Sequence, residues 1–125
     1  MILGVGIDII EVARIQTSLE RFGERFLRRI LCQAEITYCL SNKHPAPHIA
    51  ARFAAKEAIS KAFGTGIGRH LGWQDMEIAR RDSGEPFVIF HGIGLKLMEE
   101  RGGRLSHVSL SHTAIYAAAV AILET

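Results

Sequence analysis

The 125-residue chain is 48% hydrophobic and 22% charged, which describes one soluble globular domain and excludes a disordered chain. A net charge of +2 is too small to argue for a nucleic-acid partner by itself. The apolar run Ala114 to Leu123 has ten residues, about half of what a membrane span needs.

The first stretch, Ile2 to Ile10 (ILGVGIDII), is β-branched and apolar and reads as a strand buried on both faces. Asp8 is out of place there. It is either a cap or ion-pair partner, or a catalytic or metal-binding carboxylate. The opening Met-Ile-Leu-Gly has no basic n-region, so no signal peptide is expected and the protein is read as cytoplasmic. Glu11 to Leu31 predicts helix broken near Gly23, with an apolar stripe of Ile15, Leu19, Phe22, Phe26 and Ile30. Five arginines against three glutamates make this region locally basic. It is either a solvated face or a docking surface for an acidic partner.

Gln33 to Ser41 predicts a short helix, and Asn42 to Pro47 a turn. Cys32, Cys39, His44 and His48 spell C-x6-C-x4-H-x3-H, a spacing that fits neither a zinc knuckle nor a disulfide framework. The central helix is expected from Pro47 or His48 to Gly64. Ala50, Ala51, Ala54, Ala55, Ala58 and Ala62 share one broad face, which lets the backbone approach a neighbour closely. Phe53, Ile59 and Phe63 lie outside that face, so the helix should be largely covered and its charges need partners. Glu57 and Lys61 stand one turn apart, beside a second column of Arg52 and Lys56. The plain reading is a helical salt bridge; the apolar surroundings shift the balance toward a partly buried carboxylate, which must be either paired or coordinated to a cation.

Thr65 to Trp73 reads as a loop in which Gly64-Thr65-Gly66-Ile67-Gly68 could offer backbone N–H groups to phosphate. It follows a helix and lacks Gly-Lys-Ser/Thr, so it is neither a dinucleotide fingerprint nor a P-loop. Asp75 to Arg81 and Pro86 to Phe90 predict a hairpin, and Gly92 to Arg101 a short helix with Ile93, Leu97 and Met98 inward. His107 to Ser111 and Ala114 to Leu123 predict strands, joined by a Ser111-His112-Thr113 turn. The second, apolar on both faces, implies an oligomer.

Taken together, GIDIIEVAR, FAAKEAISKAFGTGIG, Gly84-x-Pro86 and Leu110-Ser111-His112-Thr113 before YAAA resemble one family over residues 4 to 122. The chain is similar to the small, single-domain 4′-phosphopantetheinyl transferases of the bacterial holo-acyl-carrier-protein synthase type. The resemblance implies an α+β fold over residues 1–125, with a long central helix on an antiparallel sheet, in a homotrimer with active sites between subunits. It implies transfer of 4′-phosphopantetheine from coenzyme A to a serine of apo acyl carrier protein, in support of fatty acid biosynthesis. Adenosine 3′,5′-bisphosphate is the other product.

On this reading Asp8 and Glu57 bind Mg²⁺, and Asp8, Glu57 and Lys61 are the catalytic residues. Hard carboxylate oxygens suit Mg²⁺, which takes the rest of its shell from water and substrate phosphates. Glu57 is the candidate base and Lys61 the contact to the departing phosphate. The resemblance puts Arg52, Gly64, Thr65, Gly66, Pro86, His112 and Thr113 around coenzyme A. Some relatives carry an acidic residue where this chain has Thr113, so no base is expected there. Arg14, Arg21 and Arg25 are the expected contacts for an acidic carrier protein. Two other readings compete: a different Mg²⁺-dependent phosphoryl or nucleotide transferase, and a non-catalytic module binding nucleic acid or acidic protein through its arginines. The basic residues lack interleaved aromatics, which argues against a single-strand binder.

Overall fold

The computed structural model describes all of residues 1–125. Strand β1 (Ile2–Glu11) leads into helices α1 (Val12–Phe22) and α2 (Glu24–Ile30). Helix α3 (Gln33–Leu40) and the long α4 (Pro45–Phe63) follow, then strands β2 (Met76–Arg80) and β3 (Pro86–Phe90). Helix α5 (Gly92–Glu100) and strands β4 (Leu105–His112) and β5 (Tyr116–Glu124) complete the chain. The main sheet is antiparallel with strand order β1-β5-β4, and β2-β3 form a separate antiparallel ribbon. This is the expected α+β arrangement, with the apolar C-terminal strand at the centre of its sheet.

α4 packs along β1 and β5, and its alanines do what their spacing predicts. Ala50, Ala54, Ala55 and Ala58 have no exposed surface, and Ala51 and Ala62 are buried beside them. The strand meets them with glycine. A Cβ on Gly4 would lie 1.9 Å from the Ala62 carbonyl oxygen, and one on Gly6 1.8 Å from that of Ala58. Strand backbone therefore touches helix backbone, a contact only glycine permits. Gly64 ends α4 with φ of 78°, a left-handed conformation that suits glycine.

Several expectations shift at their edges. α4 begins at Pro45 rather than at Pro47 or His48, because a first-turn proline loses no helical hydrogen bond and arrives with helical φ. Asp75 belongs to a 3₁₀ turn (Trp73–Asp75), where its carboxylate accepts the Gly72 N–H at 2.7 Å, so β2 starts at Met76. Ser111 and His112 are still paired within β4, opposite Ala118 and Ala117, so the turn follows them instead of containing them. On α5 Gly94 and Met98 are buried and Leu97 packs partly against the core, while Ile93 is exposed. The close approach of Gly94 to the Asp75 carbonyl sets that rotation, since a Cβ there would lie 2.3 Å from the oxygen. Phe22 leaves the apolar stripe of α1 for solvent. β1 is covered on one face only: Gly6 and Ile10 are buried, whereas Val5, Ile7 and Ile9 are 58%, 68% and 65% exposed.

Candidate active site

Alternation along β1 puts Asp8 on the same side as Gly6 and Ile10, toward α4. The glycine–alanine contact brings the helix near enough for Lys61 to reach it. Lys61 Nζ donates to Asp8 Oδ1 at 3.0 Å and to the Ile7 carbonyl at 2.9 Å. The local Glu57–Lys61 salt bridge is not formed; the ammonium goes to the strand instead. Glu57 is half-buried at this cluster. Burial, then the nearby Asp8 carboxylate, pushes its carboxyl above the ordinary range, and Lys61 opposes them. Two carboxylates and one ammonium thus lie together, with only Asp8 paired, leaving one net negative charge where α4 meets β1. That donor set fits a hard divalent cation, which takes one or two carboxylates and keeps water and phosphate oxygens in its other positions. Asp8 and Glu57 are the residues that would hold it.

Lys56, in the neighbouring column, is wholly buried and does not pair along the helix. Its Nζ donates to Glu35 Oε1 at 2.7 Å, to the Ile30 carbonyl at 2.7 Å and to the Trp73 carbonyl at 3.0 Å. Glu35 also accepts the Cys32 N–H at 2.8 Å and, through Oε2, the Ile78 N–H at 3.0 Å. Every donor of the ammonium and both carboxylate oxygens are used, the condition under which a buried ion pair is tolerated. The pair anchors α4 one residue before Glu57.

A second cluster lies toward the other edge of the sheet. Arg52, Pro86 and His112 line a cavity of about 170 Å³ together with Tyr38, His48 and Arg80. The guanidinium groups of Arg52 and Arg80 lie 4.4 and 4.9 Å from the Tyr38 ring centroid. Neither arginine has a carboxylate partner, and the buried Nε of Arg52 has no partner at all. Such a pair of cations is suited to phosphate. The His48 and His112 rings stand 5.0 Å apart. Burial, with His112 and Arg52 adding to it, holds His48 below the usual imidazole range. Tyr38, His48 and Arg80 are additions to the expected set. Only Gly84-x-Pro86, four residues past Arg80, hinted at them.

Other candidates are used differently from what their sequence suggests. The N–H of Gly64 bonds to Lys61, those of Thr65 and Gly66 to Ser60, and that of Gly68 to Leu71. The first part of the glycine loop therefore closes α4, and open space surrounds Gly64 and Gly66. Thr113 serves its own turn: its Oγ1 accepts from the N–H groups of Ile115 and Tyr116 at 3.2 and 3.0 Å. The Cys/His run does not converge either. Cys39 is buried and pushed up to about 11 by desolvation, and His48 packs against Tyr38 and His112. Both cysteines are free.

Arg14, Arg21 and Arg25 are exposed on α1 and α2, and none is in an ion pair. Arg25 and Arg29 flank Phe22 and Phe26 around a groove of about 300 Å³. Cationic groups thus rim an apolar floor.

Residues 4–120 match the model of the 4′-phosphopantetheinyl transferase superfamily. A holo-[acyl-carrier-protein] synthase of Koribacter versatilis is 52% identical over 124 residues, 99% of each chain. The crystal structure of the Neisseria meningitidis holo-[acyl-carrier-protein] synthase superposes with a TM-score of 0.93 at 33% identity, over 100% of both chains. That of the Helicobacter pylori enzyme in complex with coenzyme A superposes with a TM-score of 0.86 at 35% identity, over 96% of this chain and 99% of that one. With matches spanning the whole chain and the fold alike, the protein belongs to the 4′-phosphopantetheinyl transferase superfamily, among its holo-[acyl-carrier-protein] synthases.

Proposed function

We propose that this chain transfers 4′-phosphopantetheine from coenzyme A to a serine of apo acyl carrier protein at the Asp8–Glu57–Lys61 cluster. The observation that carries the assignment is the convergence of these three charges from β1 and α4, with carboxylate in excess over ammonium. Asp8 and Glu57 are read as the Mg²⁺ ligands; the bound ion neutralises pyrophosphate charge that would otherwise repel the nucleophile. Glu57, whose carboxyl is held above the ordinary range, takes the serine proton directly or through water. The serine oxygen forms the new P–O bond as the pyrophosphate linkage breaks, and adenosine 3′,5′-bisphosphate leaves. Lys61, half exposed and held by Asp8 and a carbonyl, turns its ammonium to the departing phosphate.

The Arg52–Arg80–His112 cavity is read as a phosphate-end site for coenzyme A, and the Arg14–Arg21–Arg25 surface as the carrier-protein dock. The cavity sits toward β4 and the carboxylates toward β1, with β5 between them. We read this division, with the exposed Val5, Ile7 and Ile9 on β1, as the mark of a homotrimer. There β1 of one subunit would complete the site begun by β4 of another. The two free cysteines agree with a cytoplasmic setting.

The test is incubation with coenzyme A, Mg²⁺ and apo acyl carrier protein, read by mass spectrometry of the carrier. The wild type adds phosphopantetheine only with Mg²⁺, and Asp8→Ala abolishes the addition while circular dichroism stays native. Full activity of Asp8→Ala would overturn the ligand assignment.

A further inference from the structure

We infer that Cys32, Glu77 and His91 form a binding site for a divalent transition-metal ion of the Zn²⁺ class, separate from the Asp8–Glu57 pair. One ligand atom from each side chain, a sulfur, a carboxylate oxygen and a ring nitrogen, lies within 4.8 Å of the others. The three residues come from different parts of the fold: Cys32 caps the start of α3, Glu77 lies on β2, and His91 precedes α5. His91 Nε2 is 2.9 Å from Glu77 Oε1. The Cys32 thiol makes long contacts, 3.8 and 3.9 Å, to the carbonyls of Gln74 and Met76.

The donor chemistry selects the ion. With sulfur about 2.3 Å and nitrogen or oxygen about 2.0–2.1 Å from a tetrahedral Zn²⁺, the ligand atoms stand about 3.3–3.6 Å apart. The His91–Glu77 spacing of 2.9 Å lies just below that range and all three atoms lie within 4.8 Å of one another, so side-chain rotation suffices to reach it. Thiolate, imidazole and carboxylate suit Zn²⁺ and its neighbours, whereas Mg²⁺ and Ca²⁺ take oxygen. Binding breaks the Cys32 S–H bond, forms a sulfur–metal bond and releases the proton to solvent. Nε2 of His91 gives up its hydrogen bond to Glu77 and binds through its lone pair as the neutral imidazole, its proton passing through solvent to Nδ1. Burial pushes the thiol up to about 11, so only a cation with strong affinity for sulfur displaces its proton. His91 is exposed and provides an entry path, and solvent fills the fourth position.

The ion would tie β2 and the start of α5 to the start of α3. The backbone N–H of Cys32 is already held by Glu35, the partner of Lys56 on α4. The metal therefore extends the buried tie that anchors α4, and it acts on stability instead of contacting substrate.

The decisive experiment titrates the full chain, stripped of metal by a chelator, first with Co²⁺ and then with Zn²⁺. One equivalent of Co²⁺ should give thiolate-to-cobalt charge-transfer absorption, which Zn²⁺ removes by displacement and millimolar Mg²⁺ does not. Zn²⁺ at a hundredfold above its Kd should raise Tm by roughly 5–10 °C. Cys32→Ser should lose the absorption, His91→Ala should weaken binding at least about tenfold, and Cys39→Ser should keep both. No thiolate absorption in the folded wild type, a band that survives Cys32→Ser, or displacement by Mg²⁺ would each overturn the site. The wild-type spectrum decides the matter even if a variant fails to fold.

Discussion

Replacing Gly6 with Ala places a methyl group inside the contact between β1 and α4. The added Cβ would lie 1.8 Å from the Ala58 carbonyl oxygen and 2.8 Å from the Ala62 amide nitrogen. Ordinary contact begins at 3.4 Å, so strand and helix must part by about 1.6 Å along that line. Backbone lies on both sides, and no side chain can swing away to make room. Overpacking of this kind costs about 1–3 kcal/mol, which for a chain of this size lowers Tm by roughly 3–10 °C. The larger effect falls on catalysis. Asp8 is two residues from Gly6, and its 3.0 Å contact with Lys61 depends on the same approach. A misplacement of about 1 Å costs on the order of a hundredfold in rate. Gly6→Ala should therefore stay folded at 25 °C and lose about two orders of magnitude in kcat/KM for carrier-protein modification. Tm within about 1 °C of wild type and activity within about twofold would refute the backbone-contact argument.

Lys56→Met should be more damaging to stability, by about 3–5 kcal/mol in urea denaturation, because it leaves the Glu35 carboxylate buried without its cation. The double variant with Glu35→Leu should recover part of that loss, since the stranded charge goes too. Glu57→Gln should raise Tm at neutral pH without Mg²⁺ while abolishing transfer. The sign follows from a folded-state pKa above the unfolded one: Glu57 favours folding only while protonated. That contribution fades as pH rises from the ordinary carboxylate range through the raised folded value. The Tm gain should accordingly vanish in acid, and a gain that grows toward low pH would reverse the assignment. Arg14→Glu should raise KM for the carrier protein about threefold to tenfold and reduce the salt dependence, with KM for coenzyme A unchanged. An unaltered carrier KM would remove Arg14 from the dock.

Local sequence patterns carried far in α4. Its alanine face, its covered surface and its stop at Gly64 follow from spacing and backbone conformation within one element. Its charges were less legible, because their partners are distant in the chain. Glu57 and Lys61 read as a pair at i, i+4, yet Asp8 and the Ile7 carbonyl together hold the ammonium. Only the resemblance to known transferases linked Asp8 to Glu57 beforehand. Nothing in the sequence coupled Lys56 to Glu35, 21 residues earlier and on another helix. The glycine loop is legible only in part. Its composition suits an anion cradle, while the N–H groups of Gly64, Thr65 and Gly66 turn back to the end of the helix. Tyr38, His48 and Arg80 are not legible as one site in the sequence, because an aromatic, a helix-start histidine and a strand-end arginine gain that meaning only when three elements meet around them.

β1 carries two messages, interleaved residue by residue. Gly4, Gly6, Asp8 and Ile10 address α4, and Val5, Ile7 and Ile9 address the opposite side. A point substitution garbles one message and leaves the other readable. Loss or gain of a single residue before Asp8 would exchange them throughout, driving Val5 and Ile7 into the Ala58–Ala62 backbone and turning the carboxylate outward. The strand should therefore tolerate many changes of side chain on its outer face but none of length.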